Sequence, residues 1–167
     1  MFKEDKKTLI VTTKKLRKEI TKEDETKQTG KYGLASINHY GNLRGLNEFS
    51  SFSTVVVLDR SQPNPKALEQ KAKALWFDTD TVKSLDEPSY PQHQRGLRMK
   101  DDTSQSVFCS YHPDRYVQIL LEISREAEIT QAIDRLRLLR GSNDRQVFIA
   151  TSIPVDVTVD YYWDWNL

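Results

Sequence analysis

Several features that define broad protein classes are absent from this sequence. It has a single cysteine, Cys109, which excludes an internal disulfide and a multi-cysteine zinc site. Glycine and proline number only six each, so collagen-like and low-complexity classes are excluded. No run approaches the roughly 18 apolar residues of a membrane-spanning helix, and the N-terminus does not resemble a signal peptide. These absences favour a soluble, cytoplasmic protein.

The common catalytic and nucleotide-binding motifs are also missing. The sequence contains no GxxxxGK(S/T) phosphate loop, no GxGxxG, no HExxH and no GxSxG. Its histidines, His39, His93 and His112, are far apart and lack the spacing of metal ligands. The sequence therefore predicts no metal site and gives little support for catalysis by this chain alone.

Charge is balanced overall but uneven along the chain. The net charge is +1, which gives no general basic field. Residues 1–31 nevertheless carry ten Lys/Arg against six Asp/Glu, whereas residues 152–167 carry three Asp and no basic residue. The basic end is either a solvated helix face or a phosphate-facing surface. The aromatic, acidic tail is a packing or partner-docking surface, because its charges would repel a nucleic-acid backbone.

Apolar periodicity and turn residues divide the chain into alternating strands and helices. We predict strands at Thr8–Thr13, Tyr32–Ile37, Ser53–Leu58 and Gln146–Thr151. Helices are predicted directly after the first strand, with a stop at Gly30, over Lys66–Phe77, and from Pro113 to Arg140 with a break near Ser124. A small hairpin is predicted around residues 101–104.

This alternation predicts an α/β fold with a mostly parallel sheet and helices on both faces. The strands at 8–13, 53–58 and 146–151 are expected in one sheet. Residues 78–95 show no period and contain prolines, so we interpret them as an exposed connection. The chain is expected to be one domain over residues 1–167, with a peripheral insertion at 78–110.

Two stretches could bind a ligand. HYGNLRGLNEF at His39–Phe49 places glycines and Asn47 around Arg44, and such a loop can hold phosphate oxygens or can simply be a turn between strands. In Glu126–Arg140, Ile129, Ala132, Ile133, Leu136 and Leu139 share one helical face. Gln131, Asp134 and Arg135 would then project on the other side, away from the core.

These stretches resemble, in order, motifs of helicase second lobes. TLIVTTKKLRKEI at residues 8–20 resembles motif four, HYGNLRGLNEF followed by STVVVLDRSQP resembles motif five, and QAIDRLR at Gln131–Arg137 resembles motif six. His112–Asp114 and Pro154–Asp160 match further segments of phage- and plasmid-type helicases and primase-helicases. The resemblance covers roughly residues 8–160 and implies a RecA-like C-terminal lobe.

The resemblance also implies roles for individual residues. Arg135, Arg137 and Gln131 would form the catalytic group that approaches the γ-phosphate of ATP. Gly45 and Asn47 would bind the nucleotide. Nucleic-acid backbone would be bound by Thr12, Thr13, Lys14 and Arg44. ATP and Mg²⁺ would bind only together with a partner, an N-terminal RecA-like lobe that carries the phosphate loop.

The resulting interpretation is the second lobe of a nucleic-acid-dependent ATPase or helicase, a hydrolase inactive by itself and acting on DNA or, alternatively, RNA. One alternative is a non-catalytic nucleic-acid-binding or interaction module on the same fold. Another is a degenerate fragment of a mobile-element gene.

Overall fold

A computed structural model of the protein describes residues 7–21, 30–43, 48–78, 81–135 and 145–164. Its elements alternate between strand and helix, so the fold is α/β, as predicted. In chain order they are β1 (Thr8–Thr12), α1 (Lys14–Thr21), β2 (Gly30–Tyr32), β3 (Ala35–His39), β4 (Thr54–Leu58), α2 (Pro65–Leu75), β5 (Gln92–Arg98), β6 (Ser104–Ser110), α3 (Arg115–Asp134) and β7 (Gln146–Ala150). A short 3-10 helix over Glu48–Ser51 precedes β4.

The chain divides into two units, each assembled from two segments. The sheet unit comprises Met1–Ser61 and Ala127–Thr151, and the hairpin unit comprises Gln62–Glu126 and Ser152–Leu167. The insertion predicted at residues 78–110 falls within the range of the hairpin unit. The single-domain interpretation stays a prediction.

The sheet unit is organised around a mixed five-stranded sheet in the order β2-β3-β1-β4-β7. Pairing is parallel between β1 and β3, β1 and β4, and β4 and β7, and only β2 is antiparallel to its neighbour. The predicted sheet of strands 8–13, 53–58 and 146–151 is confirmed. Its centre is buried because β1 and β4 are rich in β-branched and aliphatic residues, including Leu9, Val11, Val55 and Val57.

The single strand predicted at Tyr32–Ile37 is wrong. The chain turns at Gly33, whose φ of 57° is in the left-handed region, so β2 and β3 form a tight antiparallel pair. Gly30 begins β2. Helix α1 is described as far as Thr21, and residues 22–29 lie outside the described part.

In the hairpin unit, α2 begins where Asn64 caps it and Pro65 occupies the first turn. The Asn64 side chain accepts a hydrogen bond from the Lys66 N–H at 2.9 Å. Strands β5 and β6 form the predicted hairpin, with longer strands than expected. The expectation that 78–95 is an exposed connection is wrong in part, because Val82 and Tyr90 are buried in one cluster with α2 and α3. The cluster also contains Leu68, Ala72, Val117, Leu120 and Leu121.

Helix α3 runs unbroken through the break predicted near Ser124. The Ser124 hydroxyl donates to the Leu120 carbonyl oxygen at 2.8 Å, so its polar group is satisfied within the helix. The helix is described to Asp134, and residues 136–144 lie outside the described part. None of the described helices is long and apolar enough to cross a membrane.

Candidate functional site

The carboxyl ends of β3, β1 and β4 meet at one edge of the sheet, because these strands are parallel neighbours. After β1 the chain continues to one side of the sheet, towards β3, whereas after β4 it continues to the opposite side, towards β7. Open α/β sheets bind ligands in the crevice at such a reversal. We call the residues that follow these three strand ends the carboxyl edge. It is the candidate site.

Tyr40 connects the three strand ends of the carboxyl edge through hydrogen bonds. Its N–H donates to the Thr12 carbonyl oxygen at 3.0 Å, and its hydroxyl is shared between the carbonyl oxygens of Leu58 at 3.3 Å and Asp59 at 3.0 Å. Burial raises the pKa of Tyr40 well above its usual value, and the charges of Asp59 and Glu128 raise it further. The phenol therefore stays protonated at neutral pH. It acts as a hydrogen-bond donor that stabilises the edge rather than as a general base.

Thr13 joins the start of α1 to the end of β4. Its hydroxyl oxygen accepts from the Leu16 N–H at 3.3 Å, the geometry of an N-cap, and its hydroxyl donates to Asp59 Oδ2 at 3.2 Å. Asp59 has a φ of 61°, an uncommon conformation for a residue with a side chain. The first turn of α1 contains no acidic residue, and Lys14 and Lys15 are exposed there. This helix end can attract a phosphate or another anion.

Glu128 connects α3 to the loop after β3. Its Oε2 accepts a hydrogen bond from the Gly41 N–H at 2.8 Å, and the side chain is 8% exposed. Gly41 has a φ of 81°, which favours glycine at this position. The loop of the HYGN sequence and the helix that enters QAIDRLR are therefore in direct contact in the sheet unit.

The structure describes five of the nine predicted site residues. Thr12, Thr13 and Lys14 lie together at the β1–α1 junction, although Thr12 is fully buried. Gln131 follows Glu128 at helical spacing on α3, and Arg135 directly follows the last residue of that helix. Gln131 and Arg135 lie outside the buried set of Ile129, Ala132 and Ile133. Their side chains are half-buried, whereas that of Asp134 is exposed. Arg44, Gly45, Asn47 and Arg137 lie outside the described residues.

Sequence reasoning missed three residues that organise the site: Tyr40, Asp59 and Glu128. Asp59 directly follows β4, and the rule that parallel strands end at one edge could have found it. Tyr40 follows β3 in the same way. Nothing in the local sequence around Glu128 signals a bond to a residue 87 positions away.

The hairpin unit contains a second polar cluster, centred on the fully buried His112. Its Nδ1 accepts from the Asp114 N–H at 3.1 Å, so the proton resides on Nε2, which faces Glu69 Oε1 at 3.3 Å. Asp114 caps α3 by accepting from the N–H groups of Tyr116 and Val117, and also accepts from Lys83. His112 is thus a hydrogen-bonded core residue.

Arg125 completes the buried charges of this unit. It is fully buried, and its guanidinium donates to both carboxylate oxygens of Glu126, at 2.6 and 2.9 Å, and to the Ser110 carbonyl oxygen at 2.8 Å. Arg95 also pairs with Glu126, at 2.8 Å. With every charge bonded inside the unit, this cluster is suited to holding the fold rather than to binding a ligand.

Comparisons with protein-family models, with curated proteins and with solved structures gave no match. Within the ranges that the structure describes, no group of three or more His, Cys, Asp or Glu residues could hold a metal ion.

Proposed function

We propose that this chain is the second, RecA-like lobe of a nucleic-acid-dependent ATPase of the helicase type, working in the cytoplasm. The observation that carries the proposal is the meeting of three segments at the carboxyl edge. Tyr40 and Gly41, from the motif-five-like stretch, bond to Thr12, to the end of β4 and to Glu128 on the motif-six-like helix. Segments that are separate in sequence thus form one place where a ligand could bind.

Charge supports a polyanionic ligand for the sheet unit. Its sequence carries sixteen Lys/Arg against eleven Asp/Glu, whereas the hairpin unit carries nine against thirteen. Lys14 and Lys15 are exposed at the amino end of α1, which adds its own partial positive charge. In the proposal, this junction holds nucleic-acid backbone oxygens, together with Arg44.

The catalytic part of the proposal rests on the motif-six-like stretch, Gln131–Arg137, which begins on α3. Arg135 and Arg137 would stabilise the γ-phosphate during transfer, with Gln131 beside them and Gly45 and Asn47 near the nucleotide. Since the sequence has no phosphate loop, ATP and Mg²⁺ would be held mainly by a partner lobe that supplies one. This chain would complete that site, and by itself would have no ATPase activity.

One observation favours the alternative of a non-catalytic nucleic-acid-binding module. The Gly41 N–H, which could face a phosphate, is already bonded to the Glu128 carboxylate. A phosphate arriving there would have to displace a negative charge. Under this alternative the chain binds nucleic acid through α1 but does not respond to nucleotide.

The first test measures binding of a fluorescently labelled oligothymidylate of about 20 nucleotides. We expect binding that weakens between about 50 and about 200 mM salt, with the log-log slope falling by about 1.4 in the variant Lys14→Gln/Lys15→Gln, since each phosphate contact on a single strand contributes about 0.7. Lys66→Gln/Lys71→Gln is the matched control, since both of its lysines are exposed on α2 of the hairpin unit. Absence of binding, or equal losses in both variants, would contradict the proposal.

A second test separates the ATPase lobe from the binding module. The chain alone should hydrolyse no ATP, with or without oligothymidylate, whereas a first lobe that carries a phosphate loop should restore turnover. In that mixture Arg135→Ala should lower kcat on the order of 10³-fold, as loss of an arginine finger does. Unchanged kcat in folded Arg135→Ala would leave only the binding module.

A further inference from the structure

The carboxyl-terminal tail is hydrogen-bonded to the chain at the end of β5. The Val159 N–H donates to the Arg98 carbonyl oxygen, and its carbonyl oxygen accepts from the Lys100 N–H, both at 2.9 Å. Two ion pairs reinforce this contact, Arg98 with Asp156 at 3.1 Å and Lys100 with Asp160 at 2.7 Å. The tail therefore has a defined place beside the hairpin up to residue 160.

Beyond this anchor the chain presents three consecutive aromatic side chains. Tyr161 is 79% exposed, Tyr162 37% and Trp163 68%. Isolated exposed apolar residues are ordinary, but adjacent exposed aromatics on an anchored segment are typical of an interaction surface. We call Tyr161, Tyr162, Trp163, Asp164 and the neighbouring hairpin turn, Asp101 and Asp102, the aromatic–acidic tip.

The charges of the tip are not balanced within the hairpin unit. Asp156 and Asp160 already have partners, in exposed ion pairs with Arg98 at the end of β5 and with Lys100 in the turn that follows. Among the described residues, Asp101, Asp102 and Asp164 form no ion pair with a basic side chain. Hydrogen bonds from Thr103 lower the pKa of Asp101, which keeps its carboxylate ionised. The tip is thus aromatic and negatively charged.

We propose that the aromatic–acidic tip is a docking surface for an extended, arginine- or lysine-rich segment of a partner protein. Guanidinium and ammonium groups stack on the faces of Trp and Tyr, and carboxylates beside the rings pair with the same cations. A nucleic acid fits poorly, since its phosphates would meet the carboxylates of the tip and a hairpin unit with four more acidic than basic residues.

The experiment uses the full chain and a synthetic peptide of about eight Arg-Gly repeats, titrated by calorimetry. We expect binding, weakened about tenfold or more in Tyr161→Ala/Trp163→Ala. Phe77→Ala is the matched control, because Phe77 is 84% exposed in the same unit but lies outside the tip. Tyr161→Phe/Trp163→Phe keeps the rings and should bind about as well as the natural sequence.

Charge is tested separately. Asp102→Asn/Asp164→Asn should weaken the Arg-Gly peptide and reduce the salt dependence of its binding, while a Glu-Gly peptide of equal length should not bind. Three results would overturn the proposal: equal peptide affinity in the ring-deleted variant, tighter binding of oligothymidylate that requires the tip, or self-association that the ring deletion abolishes. The last would make a second copy of the chain the occupant.

Discussion

The sheet unit and the hairpin unit place their polar groups in opposite ways. In the sheet unit, Thr13, Tyr40 and Asp59 lie at strand ends and are half-buried or exposed, with Lys14 exposed beside them. Glu128, on the adjoining helix, is the buried member of this set. In the hairpin unit, Glu69, His112, Asp114 and Arg125 are buried and bonded to one another or to backbone. A polar group at the edge can give up a hydrogen-bond partner within the protein and bind a ligand instead. A buried polar group cannot do so without a loss of stability. The contrast predicts that substitutions in the hairpin cluster cost more stability.

The largest effect is expected from Arg125→Met, which leaves Glu126 short of a partner and the Ser110 carbonyl oxygen without its donor. We expect a loss of about 3 kcal/mol in the free energy of unfolding. Urea unfolding followed by tryptophan fluorescence is suited to this, because all three tryptophans fall in the range of the hairpin unit. Arg115→Met, on the exposed face of the same helix, is the control, and a similar loss there would contradict the difference between buried and exposed charge.

Asp114→Ala removes the cap of α3 and the acceptor for Lys83, and should cost about 2 kcal/mol at neutral pH. Burial acts to raise the pKa of Asp114, but the N–H groups of Lys83, Val117 and Tyr116 outweigh it and lower the pKa. A lowered pKa means that the stabilisation is present above about pH 4, the unfolded value, and is lost as the pH falls through the folded value. The difference between the two proteins should therefore shrink in acid. A difference that stays constant down to pH 2 would show that the charge of Asp114 does not matter.

In the sheet unit, Glu128→Ala should cost about 1–2 kcal/mol, because the Gly41 N–H loses its acceptor. The sheet unit contains no tryptophan, so the measurement is hydrogen exchange at the Gly41 amide, which should become faster. Glu128→Gln retains an acceptor oxygen and should show a smaller change. If exchange at Gly41 is unaffected in both variants, the bond does not hold this loop.

The smallest effect is expected for Thr13→Ala, which removes the N-cap of α1 and the bond to Asp59, at about 1 kcal/mol. Thr13→Ser keeps the hydroxyl and serves as the control. Thermal unfolding monitored by circular dichroism would detect the loss. A loss as large as that of Arg125→Met would remove the distinction between edge and core.

The central sheet could be predicted well from the sequence, whereas the candidate site could be predicted only in part. β1, β4 and β7 are predictable because short runs rich in β-branched and aliphatic residues, bounded by turn residues, form strands whatever their partners. The residues of β7 are nevertheless half-buried or exposed. The pairing of β2 with β3 was missed because Tyr32–Ile37 has a strand-like composition, and only the positive φ of Gly33 breaks it. Val82 and Tyr90 were missed because single apolar residues in an aperiodic segment carry no period to detect.

The candidate site likewise contains residues that the sequence predicts and residues that it does not. Thr13 and Lys14 could be predicted because they follow a predictable strand and begin a predictable helix. Asp59 could have been placed at the same edge because it directly follows β4, but its bond to Thr13, 46 positions away, could not be foreseen. Glu128 could not be predicted, since its bond to Gly41 joins residues 87 positions apart. A helical wheel identifies the apolar face of this helix, on which Ile129, Ala132 and Ile133 are buried, but it is silent on what packs against the other faces, where Gln131 and Arg135 are half-buried.

The interleaving of the two units has a consequence for synthesis on the ribosome. β4 ends at Leu58 and its neighbour β7 begins at Gln146, so 87 residues must emerge before the sheet can be completed. At a synthesis rate of roughly 5–20 residues per second, the side of β4 that pairs with β7 stays unpaired for roughly 4–17 s. During that interval the valine-rich strand exposes unpaired N–H and C=O groups that another nascent chain could pair with. β7 therefore determines whether β4 stays out of aggregates, and a chain truncated before residue 146 should be captured by chaperones.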